Sequence, residues 1–423
     1  MTRSALRRLT ISRDFALLWF AQAASSFGEF ALATTLTVWF IEDLAAGEAW
    51  LPTAIAALVA AAAVPRIVVA PLAGAWVDRR RPKAVLWFSD LTRAAVVTLV
   101  AVVLVVAQVP SGLAITVLVV MVAVNGVLAQ FFNPARAALV QAVLDPEQRV
   151  AAASRSTFSL NGVAIIAAAV GPIMYVAVGP YWSLAINALT YVTSAAFILF
   201  LRDREVVASS PERKRYFADL ADGIKLAWKT AELRLILVGV AIYGVSLGVN
   251  NTVLALFALR TIMLSPVEYG FVAASFAAGA LAGAPLVPLV THRLGVERAF
   301  AVSLGMLGVA YLLYSFARDF WPALILMFLA GVTFATFATA QGPLQQAATP
   351  PGFMGRVSSL SAPVMSITST LASLACGALL VPLVAVAGDG AYGWAIFVAS
   401  IALLVGGGVM VAGVAQRKRE PAD

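Results

Sequence analysis

Twelve apolar runs, parted by short polar loops, decide what this 423-residue chain can become. They fall at roughly 15–40, 51–77, 84–107, 113–135, 156–178 and 183–201, then at 235–258, 269–290, 299–317, 322–345, 358–387 and 392–415. About 20 apolar residues rising 1.5 Å each cross the roughly 30 Å of a bilayer's hydrocarbon. No water reaches peptide groups at that depth, so each run must satisfy its own N–H and C=O groups as an α-helix. Composition agrees: the chain is 61% hydrophobic and 12% charged, against about 45–50% and about 25% for soluble domains. Soluble, fibrous and disordered classes are excluded, and an all-α membrane protein with twelve transmembrane helices is expected. The runs at 51–77 and 358–387 contain Pro65, Pro71, Pro363 and Pro382, so tilts or kinks are expected there. The first run is too long for a signal-peptide core, so it is read as a retained helix.

The basic residues give the orientation. Of the 29 Lys and Arg, all but Arg66, Arg93, Arg260 and Arg318 fall in the termini and in alternate loops. By the positive-inside bias, those loops and both termini are expected in the cytoplasm. The excess of basic residues is therefore read as topology and gives no reason to expect nucleic acid as a partner. Cys376 and His292 are the only residues of their types, which rules out intramolecular disulfides, Cys or His metal clusters and multi-histidine proton relays. No metal, cofactor or catalytic residue is expected. The sequence holds no His-Glu-x-x-His and no Walker loop, so neither an intramembrane enzyme nor direct ATP drive is expected.

The single long polar segment, 202–234, divides the runs six and six. The expected organisation is a bundle at 1–201, a cytoplasmic linker at 202–234, and a second bundle with a basic tail at 235–423. Phe217, Leu220, Ile224 and Trp228 stand at helical spacing in the linker, consistent with an amphipathic helix on the inner leaflet or with a solvated linker helix. The halves also echo each other. Pro146 is followed shortly by Arg149-Val150-Ala151-Ala152, and Pro351 by Arg356-Val357-Ser358-Ser359. A six-plus-six duplication is a mark of transporters built from two related bundles.

The loop after the second run reads Gly74-Ala75-Trp76-Val77-Asp78-Arg79-Arg80-Arg81-Pro82-Lys83. It resembles the Gly-x-x-x-Asp-Arg-x-x-Arg/Lys loop of the major facilitator superfamily. Phe15 to Gln22, Val64-Pro65-Arg66, Ser89 to Arg93, Phe132-Asn133-Pro134-Ala135-Arg136 and Gly355-Arg356-Val357-Ser358 are similar, in that order, to its macrolide-efflux and enterobactin-exporter branch. The resemblance covers nearly the whole chain and implies two pseudo-symmetric six-helix bundles. It also implies a cytoplasmic gate of Gly74, Asp78, Arg79, Lys83 and Arg356. There Gly74 would allow close helix approach, and Asp78 would face the positive N-terminus of the eleventh helix. The second half's matching loop, Thr291 to Arg298, has His292 in place of the Asp. Two further departures are Val122, where antiporters of the superfamily often carry Arg, and Tyr175-Val176, where Gly-Gly would follow Gly171-Pro172.

Coupling must then come from other ionisable residues within the runs: Glu29, Arg66, Asp90 and Arg93. Each is costly in hydrocarbon, by about 2.5–3.5 kcal/mol on insertion scales, and should face a partner. Glu29 is the candidate protonatable carboxylate, paired with Arg66 or Arg93, with a permanent structural salt bridge as the alternative. Asp90 and Arg93, three residues apart, share a helix face and are favoured as an anchor bracing the inner gate. By the superfamily's pattern, helices 1, 4, 7 and 10 line the cavity, which singles out Asn125, Tyr243, Asn250 and Phe334. Few charges and several aromatics suit an amphipathic or hydrophobic small molecule. The expected function is export of a drug-like or lipophilic compound by alternating access, driven by protons, from a bacterial inner membrane. The alternative is uptake or lysolipid flipping by the same fold. Protons and membrane lipids are the other expected partners, and a monomer is expected.

Overall fold

The computed structural model describes residues 11–202, 224–350 and 353–417. Among them, twelve helices are long and apolar enough to cross a membrane. The first, α1 (Arg13–Trp39), starts where the Ser12 hydroxyl accepts a hydrogen bond from the Phe15 N–H at 3.1 Å, satisfying one of the open donors of its first turn. It runs on into a π-helical turn, Phe40–Leu44. The second span is α2 (Leu51–Val68) followed by α3 (Ala70–Val77). The break at Val69 follows from Pro71, which has no N–H to continue the helical ladder. Then come α4 (Pro82–Val106), α5 (Ser111–Val143), α6 (Pro146–Val178) and α7 (Pro180–Leu199).

The second half repeats this grammar. Helix α8 (Ala231–Leu256) also ends in a π-helical turn, Phe257–Thr261. The next span is again divided: α9 (Pro266–Gly283), a 3₁₀ turn at Ala284–Leu286 carrying Pro285, and α10 (Val287–Leu294). It opens on a capping box in which the Ser265 N–H and hydroxyl both donate to Glu268, and the Glu268 N–H donates back to the Ser265 hydroxyl. Helices α11 (Val296–Tyr314), α12 (Phe320–Ala348), α13 (Met354–Ala387) and α14 (Gly390–Arg417) complete the chain. Of the prolines expected to perturb helices, Pro71 interrupts one, whereas Pro65, Pro363 and Pro382 lie inside continuous helices. Several helices outrun their apolar windows: α5 ends at Val143, and α6 starts at Pro146. Hydrophobicity marks the section in hydrocarbon, while the backbone ladder continues into the polar interface.

Packing pairs recur as well. In the first half α1 packs on α6 and α7, α4 packs on α5 and α7, and α3 packs on α5. In the second, α8 packs on α13 and α14, α11 on α12 and α14, and α9 on α12. The chain separates into two compact units, one of Met1–Ala46 with Ala61–Pro211, the other of Gly47–Ala60 with Glu212–Asp423. Helix α2 therefore contributes to both. In the second unit, Thr53 donates its hydroxyl hydrogen to the Gly377 carbonyl at 3.2 Å. Phe217 and Leu220 of the expected linker helix lie outside the described residues, while Ile224 and Trp228 are exposed.

Small residues let the helices approach. A Cβ at Gly171 of α6 would overlap Thr34 and the Ala31 carbonyl of α1, and Thr35 donates to the Gly171 carbonyl at 2.9 Å. At the matching pair in the second unit, a Cβ at Gly248 of α8 would overlap the Ser369 carbonyl of α13, and the Thr252 and Ser373 hydroxyls bond at 2.7 Å. Close contact of this kind replaces the hydrophobic drive that lipid cannot supply. Leu99, Val106, Leu371, Val386 and Val409 are exposed, as expected where the surrounding solvent is hydrocarbon.

Candidate functional site

In the first unit, three helices converge on a single guanidinium. Arg93 of α4 donates to Glu29 of α1, with Nη2 2.6 Å from Oε2. Its Nη1 lies 3.7 Å from Asp90 Oδ1, one helical turn earlier. Its Cζ stands 4.3 Å over the ring centroid of Tyr191, on α7. Helix α7 lies against both α1 and α4. Glu29 falls midway along its span, the depth at which a lone charge is most expensive.

The two acids sit in different surroundings. Asp90 is fully buried and Arg93 nearly so, but the Glu29 side chain is 41% exposed. Neither Asp90 oxygen makes a hydrogen bond, nor does Arg93 Nε. Ser194 and Asn187 of α7, both buried, sit beside Asp90 and Tyr191. One cation thus faces two carboxylates and an aromatic face. It holds the outer carboxylate by a charge-assisted hydrogen bond, the stronger kind, and the inner one by proximity alone. Such an arrangement can pass the arginine's pairing from one acid to the other when Glu29 gains or loses a proton.

Of the two arginines expected as partners for Glu29, Arg93 takes the place. Arg66 is exposed and makes no ion pair among the described residues. Tyr191 was not anticipated from the sequence. A signal for it existed, since Asn187, Tyr191 and Ser194 stand at i, i+4, i+7 and share one face of the helix.

In the second unit, Tyr243 of α8 stacks on Phe334 of α12 at 5.2 Å and lies 5.0 Å from Phe337. Phe276 of α9 and Phe300 of α11 extend the group, 5.4 Å from Phe334 and 4.7 Å from Phe337. Tyr243, Phe300 and Phe337 are buried, while Phe276 and Phe334 are half-buried. Of the expected cavity residues, Tyr243 and Phe334 therefore come together. Asn250 is buried two turns along α8, its amide donating to Ser246 at 3.3 Å while its Oδ1 has no partner. Asn125, on α5 of the first unit, is also buried with an unbonded Oδ1.

The expected gate loop is a turn at the end of α3. The Asp78 N–H donates to the Gly74 carbonyl at 3.1 Å, and the Arg80 N–H to the Val77 carbonyl at 2.9 Å. The side chains of Asp78 and Arg79 are exposed. Lys83 donates to the Leu201 carbonyl at 2.6 Å, a favourable place for a cation just past the end of α7. A Cβ at Gly74 would meet no atom of its unit within 4 Å. Arg356 lies in the first turn of α13, and its side chain is outside what the structure describes. Among the described residues, no group of three or more His, Cys, Asp or Glu could hold a metal ion.

The sequence model of the transmembrane secretion effector family matches residues 4–422. YvqJ of Bacillus subtilis (strain 168), an uncharacterised MFS-type transporter, is 25% identical over 341 residues, covering 78% of this chain and 76% of that protein. YkuC of the same organism, likewise an uncharacterised MFS-type transporter, is 23% identical over 386 residues, covering 88% and 86%. Among solved structures, the nucleoside transporter NupG superposes with a TM-score of 0.73 at 14% identity, covering 94% of this chain and 98% of that one. A bacterial homologue of the iron transporter ferroportin, in its inward-facing state, gives 0.71 at 18% identity, covering 95% and 98%. Family match, twelve apolar helices and fold agree: the chain belongs to the transmembrane secretion effector family, within the major facilitator superfamily of membrane transporters.

Proposed function

We propose that the protein is a proton-coupled exporter of amphipathic or lipophilic small molecules in a bacterial inner membrane, with both termini cytoplasmic. The observation that carries this reading is the pairing at Arg93: one buried guanidinium, a half-exposed Glu29 and a buried Asp90 whose oxygens lack hydrogen bonds. Glu29 is the proton carrier. When it is ionised it competes with Asp90 for Arg93, and when it is protonated it releases the guanidinium to Asp90. That exchange gives α1 and α4 two arrangements of nearby free energy, which a proton gradient and a substrate can bias in turn. Substrate class is read from the aromatic group around Tyr243 and Phe334, where large π-faces and few polar atoms favour apolar or cationic amphiphiles over sugars and phosphates. The Gly74 to Lys83 turn, with Asp78, acts as the cytoplasmic latch, and the protein works as a monomer.

The test is transport by purified protein in proteoliposomes carrying an imposed pH gradient, against a panel of macrolides, dyes, siderophores and lysolipids. The expected result is accumulation of at least one lipophilic member, driven by the gradient in the export direction and abolished by a protonophore. Gradient-independent movement, or movement only in the uptake direction, overturns the reading.

A further inference from the structure

A groove of about 850 Å³ lies in the first unit, between α3, α4, α5 and the turn that joins α3 to α4. Its walls are Leu72 and Trp76 from α3, Ala84, Val85 and Phe88 from α4, and Leu128 and Phe131 from α5. It exists because α3 and α4 each pack on α5 while making little contact with one another. Trp76 sets the spacing by meeting Phe131 edge-on at 5.3 Å. The volume lies within the roughly 300–1,000 Å³ range of small-molecule sites. Leu72, Trp76 and Phe88 are exposed along the groove.

The groove has a polar end. Arg80 and Arg81 line it there, both exposed, and the Arg80 guanidinium stands 5.1 Å over the Trp76 ring. Neither makes an ion pair among the described residues. Lys83 is engaged by the Leu201 carbonyl, and Asp78 is the only carboxylate on the turn. The arginines sit just before Pro82, the first residue of a membrane-crossing helix. That is the depth of lipid headgroups.

We propose that this groove is a binding site for an anionic phospholipid, with an acyl chain against Trp76, Phe88 and Phe131 and the phosphate on Arg80 and Arg81. An apolar channel with exposed walls, closed at one end by two guanidinium groups without ion pairs among the described residues, complements a molecule with a long hydrocarbon tail and a negative head. A free phosphate satisfies the arginines but leaves the channel unfilled. A zwitterionic lipid fills the channel but brings a choline or ethanolamine cation to the arginines. The site is separate from the Arg93 cluster and does not depend on transport direction or coupling.

The experiment is fluorescence quenching of Trp76 in vesicles containing equal fractions of dibrominated phosphatidylglycerol or dibrominated phosphatidylcholine. The Trp76 signal is the difference between the protein and its Trp76→Phe variant. The expected result is stronger quenching by the brominated phosphatidylglycerol, with the preference falling roughly fivefold per arginine removed in Arg80→Gln and Arg81→Gln. Inorganic phosphate at millimolar levels should leave the preference intact. Equal quenching by both lipids, a preference that survives the double Gln variant, or loss of the preference to inorganic phosphate alone each overturns the assignment.

Discussion

Arg93 and Glu29 are joined by a 2.6 Å ion pair in which the cation is almost wholly buried and the carboxylate is 41% exposed. The asymmetry places the carboxylate at the edge of the cluster and the guanidinium inside it. Because Asp90 stands one turn from Arg93, the arginine keeps a counter-charge when Glu29 is neutral.

Glu29→Gln should therefore fold and still exchange substrate across the membrane while losing accumulation against a gradient. The charge-assisted hydrogen bond is replaced by a neutral one, a loss of about 1.5–3 kcal/mol at most. Counterflow and gradient-driven uptake into inverted proteoliposomes separate the two functions. Intact proton-driven accumulation in Glu29→Gln would falsify the coupling role.

Arg93→Leu should be far more damaging, since it strands two carboxylates, one of them fully buried, at about 3–5 kcal/mol. Adding Asp90→Asn should recover part of the loss, and thermal unfolding of the single and double variants measures it. Additive effects would show that Asp90 and Arg93 are energetically independent despite their 3.7 Å separation.

Glycine substitutions should split by environment. Gly248→Ala forces a methyl into the Ser369 carbonyl and should cost about 1–3 kcal/mol by overpacking. Gly74→Ala meets open space in its unit and should leave the melting temperature within about 1 °C. If Gly74→Ala melts normally yet transports poorly, the position acts in the conformational cycle; equal destabilisation of both variants contradicts the packing described for α8 and α13.

Phe334→Ala takes a half-buried ring from the proposed substrate surface beside Tyr243 and should raise the apparent KM for lipophilic substrates about tenfold, as loss of about 1–1.5 kcal/mol of contact between that ring and the substrate implies. Maximal rates should change less. Concentration series in proteoliposomes check this, and an unchanged KM across all substrates would remove Phe334 from the binding surface.

The sequence by itself settled the elements: twelve spans, their helical nature and the six-plus-six division. Each rests on local chemistry, namely the length of an apolar run and the requirement that backbone groups in lipid satisfy themselves. It also singled out Glu29, Asp90 and Arg93, because charge in hydrocarbon is costly enough to be conspicuous in one dimension. What it left open was pairing. Depth favoured Arg66, near the midplane with Glu29, over Arg93, and only the packing of α7 on α1 and α4 chose Arg93 and added Tyr191, since facing directions depend on helix rotation and crossing that no linear pattern encodes. The same is true of the groove at Trp76. Voids and contacts arise between helices, and in lipid, where apolar side chains gain little by facing inward, hydrophobicity alone does not say which face meets which neighbour.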